Sequence, residues 1–320
     1  EMFADGTLKL TKTLNVTVGL RGTYEHQDTG YSSTTGPSMF GAVLYHPTQG
    51  GAKVTASGGD WSWVGRAALN YMIGRTNIYA SVSRGRRPGV LYFHNDPSDF
   101  ETLKPEIIYS YEVGVKGSLL QGRLNYDLCA YYYDWYNYQT SVFNAITNKY
   151  EYDDAGRAHS LGLEASISYS PCQYLNIFGN WAYIDGKFNE KDENGNAQRY
   201  AGNRFRLTPK NSFTAGIDLN VPTSRNGSIY FRPTYTWKSK VFFEESNEPE
   251  LTQKAYGMLN FTASYRLQPG KVYYEIGAFG KNGLDQKYVV DAGNSGRQIG
   301  FPTYVGGTRS VIGVMVKVGF

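Results

Sequence analysis

The chain has 320 residues, 15% aromatic and 19% charged, with 28 Tyr, 37 Gly and a net charge of +4. That mild charge, with no block of basic residues, gives no nucleic-acid surface, and no run reaches the roughly 18 apolar residues of a spanning helix. Tyr and Gly in quantity, with a mean hydropathy of −0.45, do not suit a soluble core built on Leu, Ile and Val. They suit a membrane barrel, which needs apolar side chains only at alternate positions.

Alternation defines the elements, beginning at 2–10. In 14–27 the even positions Leu14, Val16, Val18, Leu20, Gly22 and Tyr24 oppose Asn15, Thr17, Gly19, Arg21 and Thr23. Successive strand side chains point to opposite faces, so one face is apolar and the other polar. Segments 60–72, 76–86, 107–117 and 122–142 follow. Segment 156–170 repeats the split, with Leu161, Leu163, Ala165, Ile167 and Tyr169 against Gly162, Glu164, Ser166 and Ser168. The series continues through 174–186, 210–220, 227–243, 254–266, 271–281 and 307–320. Most of these reach the roughly 9–11 residues with which a tilted strand crosses the hydrocarbon.

The connections alternate as well. Short ones at 11–13, 73–75, 118–121, 171–173, 221–226 and 267–270 alternate with long polar ones near 28–59, 87–106, 143–155, 187–209, 244–253 and 282–306. Short periplasmic turns and long extracellular loops are the outer-membrane pattern. A soluble sandwich, barrel or propeller rarely keeps such alternation through so many long strands. Trp61, Trp63, Trp181, Tyr183 and the run Tyr131, Tyr132, Tyr133, Trp135, Tyr136 and Tyr138 fall at strand ends beside long loops, where an aromatic girdle is expected. Bacterial barrels have even strand numbers, the segments number about thirteen, and no signal peptide opens the chain. The chain is therefore expected to continue upstream.

Several stretches carry a family resemblance. Tyr79-Ala80-Ser81-Val82-Ser83-Arg84-Gly85-Arg86-Arg87-Pro88-Gly89 is similar to a strand-then-loop segment of TonB-dependent receptors, with Arg86 where that family has an aromatic residue. Leu103-Lys104-Pro105-Glu106 followed by Tyr111-Glu112-Val113-Gly114-Val115-Lys116 resembles the same family more closely. So, in order, do Ala155-Gly156-Arg157-Ala158-His159-Ser160-Leu161-Gly162-Leu163-Glu164, Leu207-Thr208-Pro209-Lys210-Asn211 and Asn282-Gly283-Leu284-Asp285-Gln286-Lys287-Tyr288. The final strand, with Ile312, Val314, Val316, Val318 and Phe320 on one face, resembles the signal read by the barrel-assembly machinery.

The resemblance implies an all-β fold: an antiparallel transmembrane β-barrel, with residues 1–320 as the C-terminal portion of a barrel of about 22 strands. A plug domain and a TonB-engaging segment would lie outside this chain. The implied function is TonB-energised uptake of a scarce solute, a ferric siderophore or similar iron complex, across the outer membrane. The implied partners are outer-membrane lipid, the plug, the TonB complex, the barrel-assembly machinery and the iron chelate. A passive porin-like channel or a barrel adhesin is the alternative. The polar positions Asn70, Glu112, Lys116, Asn125, Asp127, Glu164, Asn180, Asp218, Arg232, Asn260 and Glu275 are expected to line the lumen, and Arg309 and Lys317 with them.

No catalytic, metal or cofactor motif is present. His26, His46, His94 and His159 have no ligand spacing, and Asp192-Glu193-Asn194-Gly195 lacks the later ligands of a calcium loop. Cys129 and Cys172 suggest neither a disulfide nor a metal site. Ligand recognition is expected at the extracellular mouth, where arginines and aromatic walls suit an anionic chelate. The candidates are Arg84, Arg86, Arg87 and Tyr92 at one loop, Tyr133 and Trp135 at a second, and Arg204 and Arg206 at a third.

Overall fold

The computed structural model describes residues 1–34, 48, 51–93, 98, 100–144, 149–224, 226–293 and 301–320. Thirteen strands form one continuous antiparallel sheet, each bonded to the next in chain order. They are β1 (Met2–Lys9), β2 (Leu14–Tyr31), β3 (Val54–Ile73), β4 (Thr76–Arg87), β5 (Glu106–Leu119), β6 (Leu124–Tyr136) and β7 (Ala158–Cys172). Then come β8 (Leu175–Phe188), β9 (Asn211–Ser224), β10 (Gly227–Lys238), β11 (Tyr256–Leu267), β12 (Tyr273–Lys281) and β13 (Val311–Gly319). The sheet is open, with β1 and β13 as its edges. A 3-10 turn at Leu120–Gly122 joins β5 to β6. Among the described residues no helix is long and apolar enough to cross a membrane, which leaves crossing by strands untouched.

Parity behaves as expected. Val18, Leu20, Leu161, Ile167, Ile276, Ile312, Val314 and Val316 are all exposed, a continuous apolar surface that only lipid would cover. The opposite face is concave: Tyr79, Glu112, Asp127, Glu164, Asn180 and Thr214, from six consecutive strands, line one hollow. Charges there pair across strands, Arg232 with Asp218 at 3.2 Å and Arg266 with Glu275 at 2.8 Å. Lys317 lies 3.9 Å from Glu275 on that face. Arg309 does not belong to β13; it precedes the strand and is bound to Asp285, so strand parity does not govern it.

The abundance of Tyr and Gly has a structural cause. Tyr79, Tyr131, Phe178, Phe279 and Tyr273 stand directly opposite Gly114, Gly162, Gly216, Gly313 and Gly319. In each pair the ring lies across the glycine, covering backbone that has no side chain of its own. A Cβ on Gly162 would come within 2.0 Å of Tyr131 Cζ. Gly162→Ala is therefore expected to cost about 1–3 kcal/mol by overpacking, read as a lowered denaturation midpoint in lipid. Gly6→Ala, with open space around it, serves as the neutral comparison.

Several boundaries differ from expectation. β2 and β3 run further, pairing as far as Tyr31↔Val54, and stand well beyond the hydrocarbon. The segments 122–142 and 227–243 each divide in two. β6 stops because Asn137 takes a left-handed φ of 53°, which Asn tolerates and a continuing strand does not. Beyond it Gln139–Asn144 pairs with Lys149–Asp154, and after β10 Val241–Phe242 pairs with Thr252–Gln253. Two further small hairpins, Val90–Phe93 with Phe100–Leu103 and Val289–Gly293 with Thr303–Gly306, also belong to loops. Cys172 ends β7 instead of lying in the turn, and both cysteines are free.

The girdle is half as dense as the run 131–138 suggests. Trp61, Trp63, Tyr111, Tyr132 and Trp181 are exposed on the lipid side. Tyr131, paired with Glu112, and Tyr133, paired with Ser110, turn to the lumen. Consecutive aromatic residues on a strand cannot all face lipid, because alternate ones point to opposite sides.

Candidate functional site at the extracellular mouth

The described parts of the loops after β4, β6, β8 and β10 do not stand free above the wall; they bind one another. Gln139 is the first tie. Its side-chain amide donates to the carbonyls of Pro88 at 2.9 Å and Lys104 at 2.8 Å, while its backbone N–H donates to Glu106 Oε2 at 2.8 Å. Gln198 is the second, donating to the carbonyls of Arg157 at 2.9 Å and Asn189 at 2.7 Å. Asn247, in a left-handed conformation, accepts from the Arg204 N–H at 2.8 Å and donates to the Arg204 carbonyl at 2.9 Å.

Between these ties lies the main apolar cluster: Ala155, Ala158, Phe188, Tyr200 and Phe205, with Trp135 and Tyr138 packed against it. Glu245 sits beside it, 4% exposed and accepting a 2.8 Å hydrogen bond from Thr140 Oγ1. Burial pushes its carboxyl above the usual range, against the pull of Thr140 and of Arg206. A raised folded-state value means that this contribution is complete below the ordinary carboxylate range and fades as pH rises through the raised value. Protection factors of amides in 239–255, which are free of the intrinsic pH dependence of exchange, should thus be higher at acidic than at neutral pH, and Glu245→Gln should flatten that difference.

The structure distributes the expected ligand residues over three environments. Arg84 is on the lipid face, its guanidinium carbon 4.3 Å from the Trp63 ring centroid and donating to the Trp63 carbonyl. Arg86 enters the seam that opens where β3–β4 pairing ends at Gly65↔Arg84. There its side chain is 6% exposed and bound to Glu25 and Asp60, so its charge is already neutralised. Arg204 donates to the Ile184 carbonyl at 3.1 Å. The Tyr92 hydroxyl lies 2.7 Å from both Glu101 Oε2 and the Tyr152 carbonyl.

Tyr133 is stacked on Tyr131 at 4.5 Å, and Trp135 meets Phe205 edge-on at 5.4 Å, so both are largely committed to packing. Two cations act on the Tyr138 hydroxyl. Tyr138 is pushed up to about 12 by burial, with Glu245 and Glu106 adding and both Arg206 and Arg87 opposing. Arg87, half-exposed, and Arg206, exposed, both lie within electrostatic reach of this partly buried ring.

Gln139, Gln198, Glu245 and Asn247 escaped the sequence reading, since irregular loops have no period to expose them. His46 and His94 lie outside the described residues. Asp192 spends its carboxylate within its own turn, accepting from the N–H groups of Asn194 and Asn196 at 2.8 Å each. These hydrogen bonds, chiefly those from Asn196, hold it below the usual range. Among the described residues no group of His, Cys, Asp and Glu is placed to hold a metal ion.

An apolar convex face, a polar concave face, short turns at one end and bound loops at the other define the wall of an outer-membrane β-barrel. The chain belongs to the TonB-dependent receptor-like β-barrel family, whose sequence model matches residues 2–282. This is a family of Gram-negative outer-membrane receptors and transporters, not of enzymes.

The metal-pseudopaline receptor CntO of Pseudomonas aeruginosa is 31% identical over 156 residues, 48% of this chain and 20% of that protein. Among solved structures, the ferric yersiniabactin uptake receptor FyuA of Yersinia pestis superposes with a TM-score of 0.79 at 18% identity, over 99% of this chain and 45% of that one. The siderophore receptor PiuA of Acinetobacter baumannii gives 0.72 at 16%, over 99% and 42%. The chain thus spans less than half the length of these relatives.

Proposed function

We propose that this chain is the C-terminal wall of a plugged, TonB-energised importer whose solute is a metal chelate, a ferric siderophore or similar iron complex. The observation that carries this reading is the charged and polar concave wall beneath a mouth that keeps two exposed arginines, Arg87 and Arg206. A wide barrel with such a lumen calls for a plug, and Glu112, Asp127 and Glu164 present carboxylates to it from adjacent strands. The related receptors for ferric yersiniabactin and metal-pseudopaline support the choice of chelate.

Arg87 and Arg206 are the ligand contacts favoured here, with Tyr92, Tyr133 and Trp135 as the wall around them. Arg84, Arg86 and Arg204 serve the architecture. Ile312, Val314, Val316, Val318 and Phe320 act as the signal to the assembly machinery.

The test is uptake of labelled ferric chelates by cells carrying the intact receptor, with the proton-motive force present and collapsed. Energised uptake is expected. Arg87→Ala and Arg206→Ala should each weaken binding of an anionic chelate about ten-fold or more, the worth of one charge-assisted hydrogen bond. Steady, unenergised conductance through the barrel would give the passive channel instead.

A further inference from the structure

The outer face carries a charged patch that neither solute recognition nor plug contact uses. Asp134, His159 and Lys187 stand opposite one another on β6, β7 and β8, forming one row across three strands. Parity places this row on the lipid side, because Tyr132 and Leu161, two residues further in, are exposed there. Arg157 binds Asp134 at 2.9 Å and lies over the Tyr136 ring at 4.3 Å. Lys187 and Lys210 approach Asp185 at 3.0 and 3.9 Å, and Lys210 also lies over Tyr183 at 5.4 Å. Arg204 adds its field to the same carboxylate.

Four bases thus face three acids, Asp134, Asp185 and Glu193, the last of which reaches Arg157 through its field, and the excess is positive even with His159 neutral. Further into the membrane, outward positions on these strands carry no charge: Leu124, Tyr126, Leu128 and Ala130 on β6, Leu163, Ala165, Ile167 and Tyr169 on β7, Ile177 and Trp181 on β8. The patch therefore sits at one level, directly above the aromatic band, at the end that carries the long loops. At that level a lipid-facing side chain meets headgroups of the outer leaflet, and cations fixed over aromatic rings there match phosphate.

We infer that Arg157, Lys187 and Lys210 form a docking site for the phosphate groups of outer-leaflet lipid A. The inference rests on the outer-membrane placement of the family and is independent of which solute is imported.

The experiment uses the intact receptor in nanodiscs and measures retention of bisphosphorylated lipid A against its dephosphorylated form. The receptor should prefer the phosphorylated lipid, and the triple variant Arg157→Gln/Lys187→Gln/Lys210→Gln should weaken its retention on the order of ten- to a hundred-fold, as loss of three surface cations implies. A variant with the same change of charge at the opposite end, Lys9→Gln/Lys12→Gln/Lys271→Gln, should leave retention unchanged. Equal retention of the two lipids by the unaltered receptor would overturn the inference without recourse to any variant. So would equal loss in both triple variants. Full displacement of lipid A by inorganic phosphate would show a free-phosphate site and overturn the lipid assignment.

Discussion

Val316→Lys is expected to cost about 2–4 kcal/mol where the residue lies near the bilayer midplane, and less toward either interface. Val316 is 72% exposed on the convex face and faces Ile276 across β12, with Val314 and Val318 beside it on the same side. A lysine there would place its ammonium in hydrocarbon. Met315 points to the concave side, which it shares with Arg232, Glu275 and Lys317, and Met315→Lys should cost far less because that side is polar. Denaturation midpoints of the intact receptor in lipid read both changes. Equal damage from the two would show the facing assigned to β13 to be wrong. Deleting Phe320 should act on another step, lowering the yield of heat-modifiable barrel more than the stability of what assembles.

Phe188→Ala is expected to cost about 3–5 kcal/mol, the range for removing a buried aromatic side chain. Phe188 is 1% exposed and meets Tyr138 at 5.3 Å, Phe205 at 5.4 Å and Tyr200 at 5.6 Å. Those rings come from the loops after β6 and β8, so the cavity would loosen both where they meet. The ladder of β7 and β8 does not depend on this cluster, having its own paired backbone from Ala158↔Phe188 to Cys172↔Leu175. Hydrogen exchange should therefore rise in 137–157 and 189–210 while strand amides stay protected. Loss of protection throughout the wall would show that loops and barrel form one cooperative unit. In the importer reading, the same variant should also lower chelate affinity, since Tyr138, which packs on Phe188, lies within electrostatic reach of Arg87 and Arg206.

How much of this was legible beforehand follows from what a strand repeats. The lipid-facing set of β13 and the polar set of β2 could be read directly, because a period of two leaves only one assignment that keeps charge out of hydrocarbon. Strand number, order and antiparallel pairing followed from the alternating connection lengths. The same rule, applied consistently, would have split Tyr131 and Tyr133 from Tyr132. Reading the whole run as girdle set aside the parity that defined the strand.

The mouth was legible only in part. Arg84, Arg86 and Arg87 are neighbours in sequence, yet one lies over Trp63 on the lipid side, one is buried between Glu25 and Asp60, and one remains half-exposed beside Gln139. Their fates depend on where β3 and β4 part and on which carboxylates the neighbouring strands supply, and neither is local information. Gln139 and Glu245, which tie the loops together, stand 106 residues apart and carry no pattern; only the binding of the loops to one another brings Thr140 to Glu245. Sequence alone determined the class of fold and the side of the wall that residues within the paired ladder face, since both follow from backbone geometry and the cost of charge in lipid. Tertiary structure decided which cations stay available at the mouth, because that depends on partners contributed by distant loops.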